Sequence, residues 1–269
     1  PLRRQRQMCI RDSGYAEPSY YSPGFGTKNA ALVFANNGYI TLAIDFFGFG
    51  GADGEPENTW EARFLKPINI IELIKTVQVD PYLYLPNSNN NQQNNQEETV
   101  PPINSKFAKL NPEQIKIWSH SNGGQIAISV LQILEEPIPT TVWAPVLAPF
   151  PYSILFFTRT SADEGKEARA WLALFEKDYD VYEFSITQHL ESLKAPIQIH
   201  HGSADKDALV AWSDSFVKMI DSENDQRQKD DQEPIEYNYF IYQGADHNLQ
   251  PTYHWSQAIE RDLVFFDRY

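Results

Sequence analysis

Ser121, Asp205 and His247 are the three residues of this chain whose types and placement could do covalent chemistry together. A serine hydroxyl is a weak nucleophile at neutral pH. It becomes effective when an imidazole takes its proton and a carboxylate holds that imidazole in the right tautomer. Ser121 lies in the stretch IKIWSHSNGGQ, where a β-prone run meets Ser119-His120-Ser121-Asn122-Gly123-Gly124 and an apolar helical run follows. That is the strand–turn–helix setting of a G-x-S-x-G elbow, with Ser119 where the first glycine usually stands. Such a turn presses its neighbours two places away against strand and helix, so only small residues fit; Gly123 and Gly124 keep the far side open. The Ser121 hydroxyl would point out of the top of a sheet, at the N-terminus of a helix beginning near Asn122. The positive end of the helix dipole favours negative charge developing there.

The two partners also follow strands. His201-Gly202-Ser203-Ala204-Asp205 comes after a strand at Ile197 to His200, and Gln243-Gly244-Ala245-Asp246-His247-Asn248 after a strand at Tyr237 to Tyr242. In an open parallel sheet, groups on loops just past the strand ends converge on one crevice. Asp207 is the alternative acid, two residues deeper into its loop. Asp246 reads as a surface or helix-facing acid. His254 in the last helix, His189 before a strand, and His200 and His201 at a strand end read as structural, hydrogen-bonded histidines. His120, the variable residue of the elbow, is expected to line the pocket. No Cys, His or carboxylate cluster has metal-ligand spacing, so neither a metal nor another cofactor is expected. The glycines of GFGGADG, Gly48 to Gly54, follow a strand, but no helix opens on them with G-x-G-x-x-G spacing, which argues against a dinucleotide loop.

The elements that must hold these residues alternate. A helix is expected from about Thr27 to Asn36 with Gly38 as its stop, then a buried strand at Tyr39 to Ile44 and a Gly-rich loop. A second helix, Thr59 to about Val77, carries Trp60, Phe64, Ile68, Ile71 and Ile74 on one face, with Pro67 expected to kink or split it. The low-complexity run NSNNNQQNNQEE, residues 87–98, reads as a solvated insertion. The strand Ile115 to Trp118 feeds the elbow, and the helix after it, reaching about Leu134, is apolar almost all round. After a strand at Thr140 to Ala144 comes a long helical and aromatic excursion, residues 145–194, either a lid over the pocket or a layer packed on the sheet. A helix is expected at Ala208 to Ile220, a charged solvated loop at residues 221–233, and a closing helix at about Thr252 to Phe266. Strands alternating with helices imply α/β architecture: a mostly parallel central sheet with helices on both faces.

Composition narrows the function. The 269 residues suffice for one large domain, 42% of them hydrophobic, with a net charge of −14. An acidic chain is repelled by phosphate backbones and anionic lipid, so a nucleic-acid or membrane-surface partner is not expected. No apolar run approaches the ~20 residues of a membrane span. The first thirteen residues stand apart: Arg4 to Ser13, RQRQMCIRDS, resembles the translation of a transposon-type sequencing adapter in one reading frame. Setting 1–13 aside leaves 14–269 as the domain proper and removes the single cysteine, Cys9, so the remainder can form no disulfide and its compartment stays open.

With these sites in place, SHSNGG around Ser121, HGSAD ending at Asp205 and GADHN around His247 resemble the prolyl oligopeptidase-type serine hydrolases of the α/β-hydrolase superfamily. GYITLAIDFFGFGGAD, Gly38 to Asp53, is similar to the strand and loop preceding the elbow in that family, and the Ser, Asp, His order is the same. Dienelactone hydrolases and acyl esterases look similar. The resemblance covers the chain from Gly14 onward and implies an α/β-hydrolase fold lacking its N-terminal strands. It also implies a short-peptide or small-molecule acyl substrate and an oxyanion hole made by two backbone N–H groups, those of Asn122 and Tyr15. In this fold the third strand lies between the fourth and fifth, and here that position falls where the adapter-like stretch begins. Unless those residues substitute for the strand, the chain should be poorly stable. A carboxylesterase or lactone hydrolase is the second reading, and a non-catalytic binding protein on the same scaffold the third.

Overall fold

The computed structural model describes residues 8–12, 24, 26–54, 58, 60–85 and 106–269, with the backbone alone for 8–12, 84–85 and 106–107. Eight strands are described: β1 (Met8–Asp12), β2 (Ile40–Leu42), β3 (Tyr82–Leu85), β4 (Lys106–Lys109), β5 (Ile115–His120), β6 (Thr140–Trp143), β7 (Ile197–Gly202) and β8 (Tyr237–Tyr242). The helices are α1 (Lys28–Asn36), α2 (Ala62–Val79), α3 (Asn122–Leu134), α4 (Tyr152–Thr158), α5 (Lys166–Phe175), α6 (Val210–Lys229) and α7 (Thr252–Arg268). Six strands form one sheet in the order β2-β1-β5-β6-β7-β8, every neighbouring pair parallel. The chain leaves β1 for one edge and β5 for the other, so the winding reverses between them. The crevice beyond the carboxyl ends of β1 and β5 is where an open α/β sheet places its site.

Residue alternation along β5 shows why helices cover both faces. Ile115 and Ile117 join a buried cluster with Ile70, Ile74, Ile128, Leu131 and Phe216 from α2, α3 and α6. Trp118 points the other way, into a cluster with Phe34 of α1 and Ile259 and Phe266 of α7. The second face is also tied by polar contacts. Asp262 of α7, fully buried, accepts hydrogen bonds from Trp143 Nε1 (2.7 Å), Gln198 Nε2 (2.9 Å) and His200 Nε2 (2.9 Å). His200 Nδ1 in turn accepts from the Tyr242 hydroxyl at 2.7 Å. One carboxylate thus pins α7 to β6 and β7, and through His200 to β8; a buried charge persists when its lone pairs are filled this way.

Four expectations need correction. Met8–Asp12, inside the adapter-like stretch, forms β1 between β2 and β5, the position assigned to the third strand. A gap there would leave the facing N–H and C=O groups of two strands unpaired, and an extended segment of five residues satisfies them. Met8–Asp12 therefore counts among the strands of the sheet. Of the two outcomes expected of Pro67, a kink or a split, the split does not occur: α2 runs unbroken from Ala62 to Val79 with Pro67 buried. The charged stretch 221–233 is mostly helix rather than loop: α6 continues to Lys229, and only 230–233 lie beyond it. The reason is Arg227, buried, whose guanidinium donates to the carbonyls of Leu190, Glu191, Leu193 and Glu233 and pairs with Glu223 at 3.0 Å. Finally β3 and β4, absent from the sequence reading, form a separate antiparallel pair flanking residues 86–105. The low-complexity run 87–98 lies outside the described residues.

In the excursion after β6, several aromatics pack against the start of α2, while Tyr152, Phe157, Tyr179 and Tyr182 stay exposed. Phe150, Phe175 and Phe184 each lie within 5.7 Å, ring centre to ring centre, of Phe64 near the start of α2, and Trp171 stacks on Trp60 at 5.9 Å. Aromatic pairs at such separations add about 0.5–1.5 kcal/mol each beyond the area they bury.

Lys116 of β5 carries a testable cost. Its side chain is 1% exposed, and burial pushes its amine down to about 8 against the opposing pull of Asp267. Below about pH 8 the folded chain holds a buried cation. Between there and the ordinary lysine value of ~10.4 the unfolded chain binds more protons, so stability rises with pH. Lys116→Met should therefore stabilise the fold by about 1–3 kcal/mol at pH 7, with the gain shrinking by pH 9.5. Paired urea melts at the two pH values check this, and a gain that does not narrow would show the amine is not the cause.

Candidate active site

The elbow is built by backbone strain held in place. Ser121 has φ 59° and ψ −123°, a conformation that costs a residue with a Cβ about 1–3 kcal/mol. Three bonds fix it: the Ser121 amide donates to Trp143 O (2.9 Å), and its carbonyl accepts from Gly124 N and Val146 N, both at 3.0 Å. Gly124 has to be glycine, because a Cβ there would lie 2.3 Å from Pro145 Cβ. Ser119 is fully buried and its hydroxyl has no partner among the described residues, which fits a site shaped for something smaller.

From that perch the Ser121 hydroxyl donates to His247 Nε2 at 2.9 Å. The other ring nitrogen, Nδ1, donates to Asp205 Oδ2 at 2.8 Å. This is the hydrogen-bonded chain expected from the three strand-end loops. Asp205 Oδ1 accepts from the Asp207 and Ala208 amides at 2.8 and 3.0 Å. His201 Nε2 also stands 3.2 Å from Asp205 Oδ2, while it donates to Ala208 O at 2.9 Å and its Nδ1 accepts from Ser213 Oγ. Burial pushes the Asp205 carboxyl up, but the hydrogen bonds from His201, His247 and the Asp207 amide outweigh it and hold the group well below the usual carboxylate range. Asp205 is thus ionised throughout neutral and mildly acidic pH, the state needed to steady a cationic His247.

The Asn122 amide sits at the first position of α3, where helix N–H groups have no partner inside the helix, so it is free to meet an oxyanion. Tyr15, the other expected donor, lies outside the described residues. Asp207 supplies a backbone amide to Asp205 and no contact to His247 Nδ1. Asp246 is exposed and accepts from the Asn248 and Gln250 amides. His189 and His254 donate to the carbonyls of Glu183 and Gln243. Asp205, Asp207 and His247 bring ligand atoms within 4.8 Å of one another, the one such group among the described residues. Two of its members are already joined by the Asp205–His247 bond, which needs a proton where a metal would bind. Two contacts escaped the sequence reading. The His201–Asp205 approach was open to detection, since the two lie four residues apart in HGSAD. The bond from His120 Nε2 to His247 O, 2.9 Å, spans 127 residues and leaves no local trace.

Comparison with protein-family models finds no match, and none is found among curated protein sequences. Solved structures do match over nearly the whole chain. A puromycin-hydrolysing peptidase of Mycobacterium tuberculosis superposes with a TM-score of 0.65 at 14% identity, over 100% of this chain and 35% of that one. Est1E of Butyrivibrio proteoclasticus with bound ferulic acid gives 0.59 at 13%, over 98% of this chain and 91% of that one. An esterase of Pyrococcus furiosus gives 0.63 at 14%, over 99% and 84%. The chain has the α/β-hydrolase fold. It spans about a third of the peptidase chain and most of each esterase chain.

Asp205 Oδ1 accepts from two backbone amides and Oδ2 from His247 Nδ1, so Asp205→Asn must set its NH2 against one of these donors and favours the wrong His247 tautomer. It should lower kcat by about 10^4-fold, measured on any ester or anilide that the parent hydrolyses; a loss under tenfold would remove Asp205 from its role. Ser119→Ala removes a buried hydroxyl that has no partner among the described residues. It should raise stability by about 1 kcal/mol in a urea melt, and a loss instead would mean the hydroxyl is bonded.

Proposed function

We propose that the chain is a serine hydrolase working through an acyl-enzyme, with short peptides as its first substrate class. The observation that carries this reading is the unbroken Ser121–His247–Asp205 hydrogen-bond chain at the switch point of the sheet. As the hydroxyl attacks an ester or amide carbonyl, His247 Nε2 takes its proton. A new O–C bond forms and the carbonyl electron pair moves onto oxygen. The Asn122 amide, with Tyr15 as the proposed second donor, holds that oxyanion, and His247 passes the proton to the departing amine or alkoxide. Water, deprotonated by the same imidazole, then releases the acyl group. Asp205, kept ionised, steadies the imidazolium at both stages.

The peptide class is supported by the HGSAD and GADHN resemblance and by the likeness to peptidases, among them a dipeptidyl aminopeptidase IV-like chain from Bacteroides ovatus. A carboxylesterase is the second reading, supported by esterases that match along most of their own length. The excursion after β6, placed between the elbow and the Asp205 strand, is proposed to shape the entrance. Ser121→Ala should abolish labelling by a fluorophosphonate probe, and persistent labelling would refute the nucleophile. A short acyl ester assayed against a prolyl or alanyl anilide separates the two classes: preference for the ester by kcat/KM would reverse their order.

A further inference from the structure

His120 touches the residue of the catalytic imidazole in two ways. Its Nε2 donates to the backbone carbonyl of His247 at 2.9 Å, and the two rings lie 4.7 Å apart, tilted by 53°. A carbonyl can only accept, so the proton of His120 sits on Nε2. Among the described residues this is the one hydrogen bond made by a peptide group of His247, whose loop runs from Gln243 to Gln250 without helix or strand. The loop's other backbone ties lie to either side of His247, among them Ala245 N to Tyr242 O, Gly244 N to Ser203 Oγ, Ala204 N to Ala245 O, the Asn248 and Gln250 amides to Asp246 Oδ1, Asp246 N to Gln250 O and Leu249 N to Asp246 O. His120 also directly precedes Ser121 at the end of β5, so its backbone is set by the same strand that sets the nucleophile.

We infer that His120 is a positioning residue: by gripping the His247 carbonyl, it makes the strand that raises the nucleophile also fix the base. The inference deepens the hydrolase reading and, for its rate readout, rests on it. The physical need is clear from magnitudes. An imidazole reaching from a loop must stay aligned with both Ser121 and Asp205, and a misplacement of ~1 Å can cost about 100-fold in rate. Burial pushes the His120 imidazole down to about 4, so at neutral pH it stays uncharged. That matters because a cation 4.7 Å from His247 would oppose the imidazolium formed during turnover.

Two variants separate positioning from space-filling. His120→Phe keeps a ring and loses the donor; His120→Gln loses the ring but offers an amide N–H near the place of Nε2. Two quantities are read: kcat and KM on the chromogenic ester or anilide cleaved by the parent, and the downfield proton NMR signal of the His247 Nδ1–H to Asp205 bond. The Phe variant should lose about 10–100-fold in kcat with KM within about twofold, and its downfield signal should broaden or move upfield. The Gln variant should recover most of both. Parental kcat and signal in the Phe variant, or a Gln variant no better than Phe, would overturn the inference. Were the parent itself inert to esters, anilides and fluorophosphonate, the hydrolase reading alone would fail, and the NMR comparison would still decide what His120 does.

Discussion

One strained peptide unit organises this molecule. Ser121 sits at φ 59°, where a side chain is disfavoured, because only there does a strand reverse into a helix sharply enough to lift a hydroxyl clear of the sheet. The strain persists because neighbours on both sides leave no alternative. Trp143 at the end of β6 takes the amide, Gly124 and Val146 take the carbonyl, and Pro145 packs where a Gly124 side chain would be. Three hydrogen bonds of about 1 kcal/mol each, together with the packing of α3, offset a backbone cost of about 1–3 kcal/mol. The apolar helix α3, buried along most of its length, is thereby as much a part of the site as the serine it follows.

The second organising element is a buried carboxylate that accepts three hydrogen bonds. Asp205 lies at the meeting point of two backbone amides and two imidazoles. Its charge is held by backbone amides of the loop that follows β7, so in the proposed mechanism it would need no rearrangement as His247 becomes cationic. On the opposite face the same logic is structural. Asp262 gathers Trp143, Gln198 and His200 and fastens α7 to the strands that carry the catalytic loops. Two adjacent histidines, His200 and His201, point to opposite faces of β7 and serve these two different acids.

Histidine therefore plays three roles within a small volume. His247 bonds the Ser121 hydroxyl, His201 stands against Asp205, and His120 holds the carbonyl of His247. Their differences come from surroundings rather than from residue type. Burial keeps His120 neutral and outweighs the opposite pull of the His247 carbonyl it donates to, whereas His247 meets an ionised carboxylate on one side and a hydroxyl on the other.

The sequence by itself determined the parts whose causes are local. Elbow spacing, the small residues around Ser121, and the strands ahead of Asp205 and His247 all follow from side-chain size and periodicity over a few residues, and they suffice to nominate the three residues that the structure joins by hydrogen bonds. The reach of α6 could not be read the same way. Asp221 to Lys229 is charged and looks like a loop until Arg227 is seen to fill four carbonyls from residues 190–193 and 233. The place of Met8–Asp12 in the sheet was likewise decided by the unpaired edges of β2 and β5. Only the tertiary structure could show that His120 holds His247, because a hydrogen bond between residues 127 apart depends on where two strands end, and no local pattern encodes that meeting.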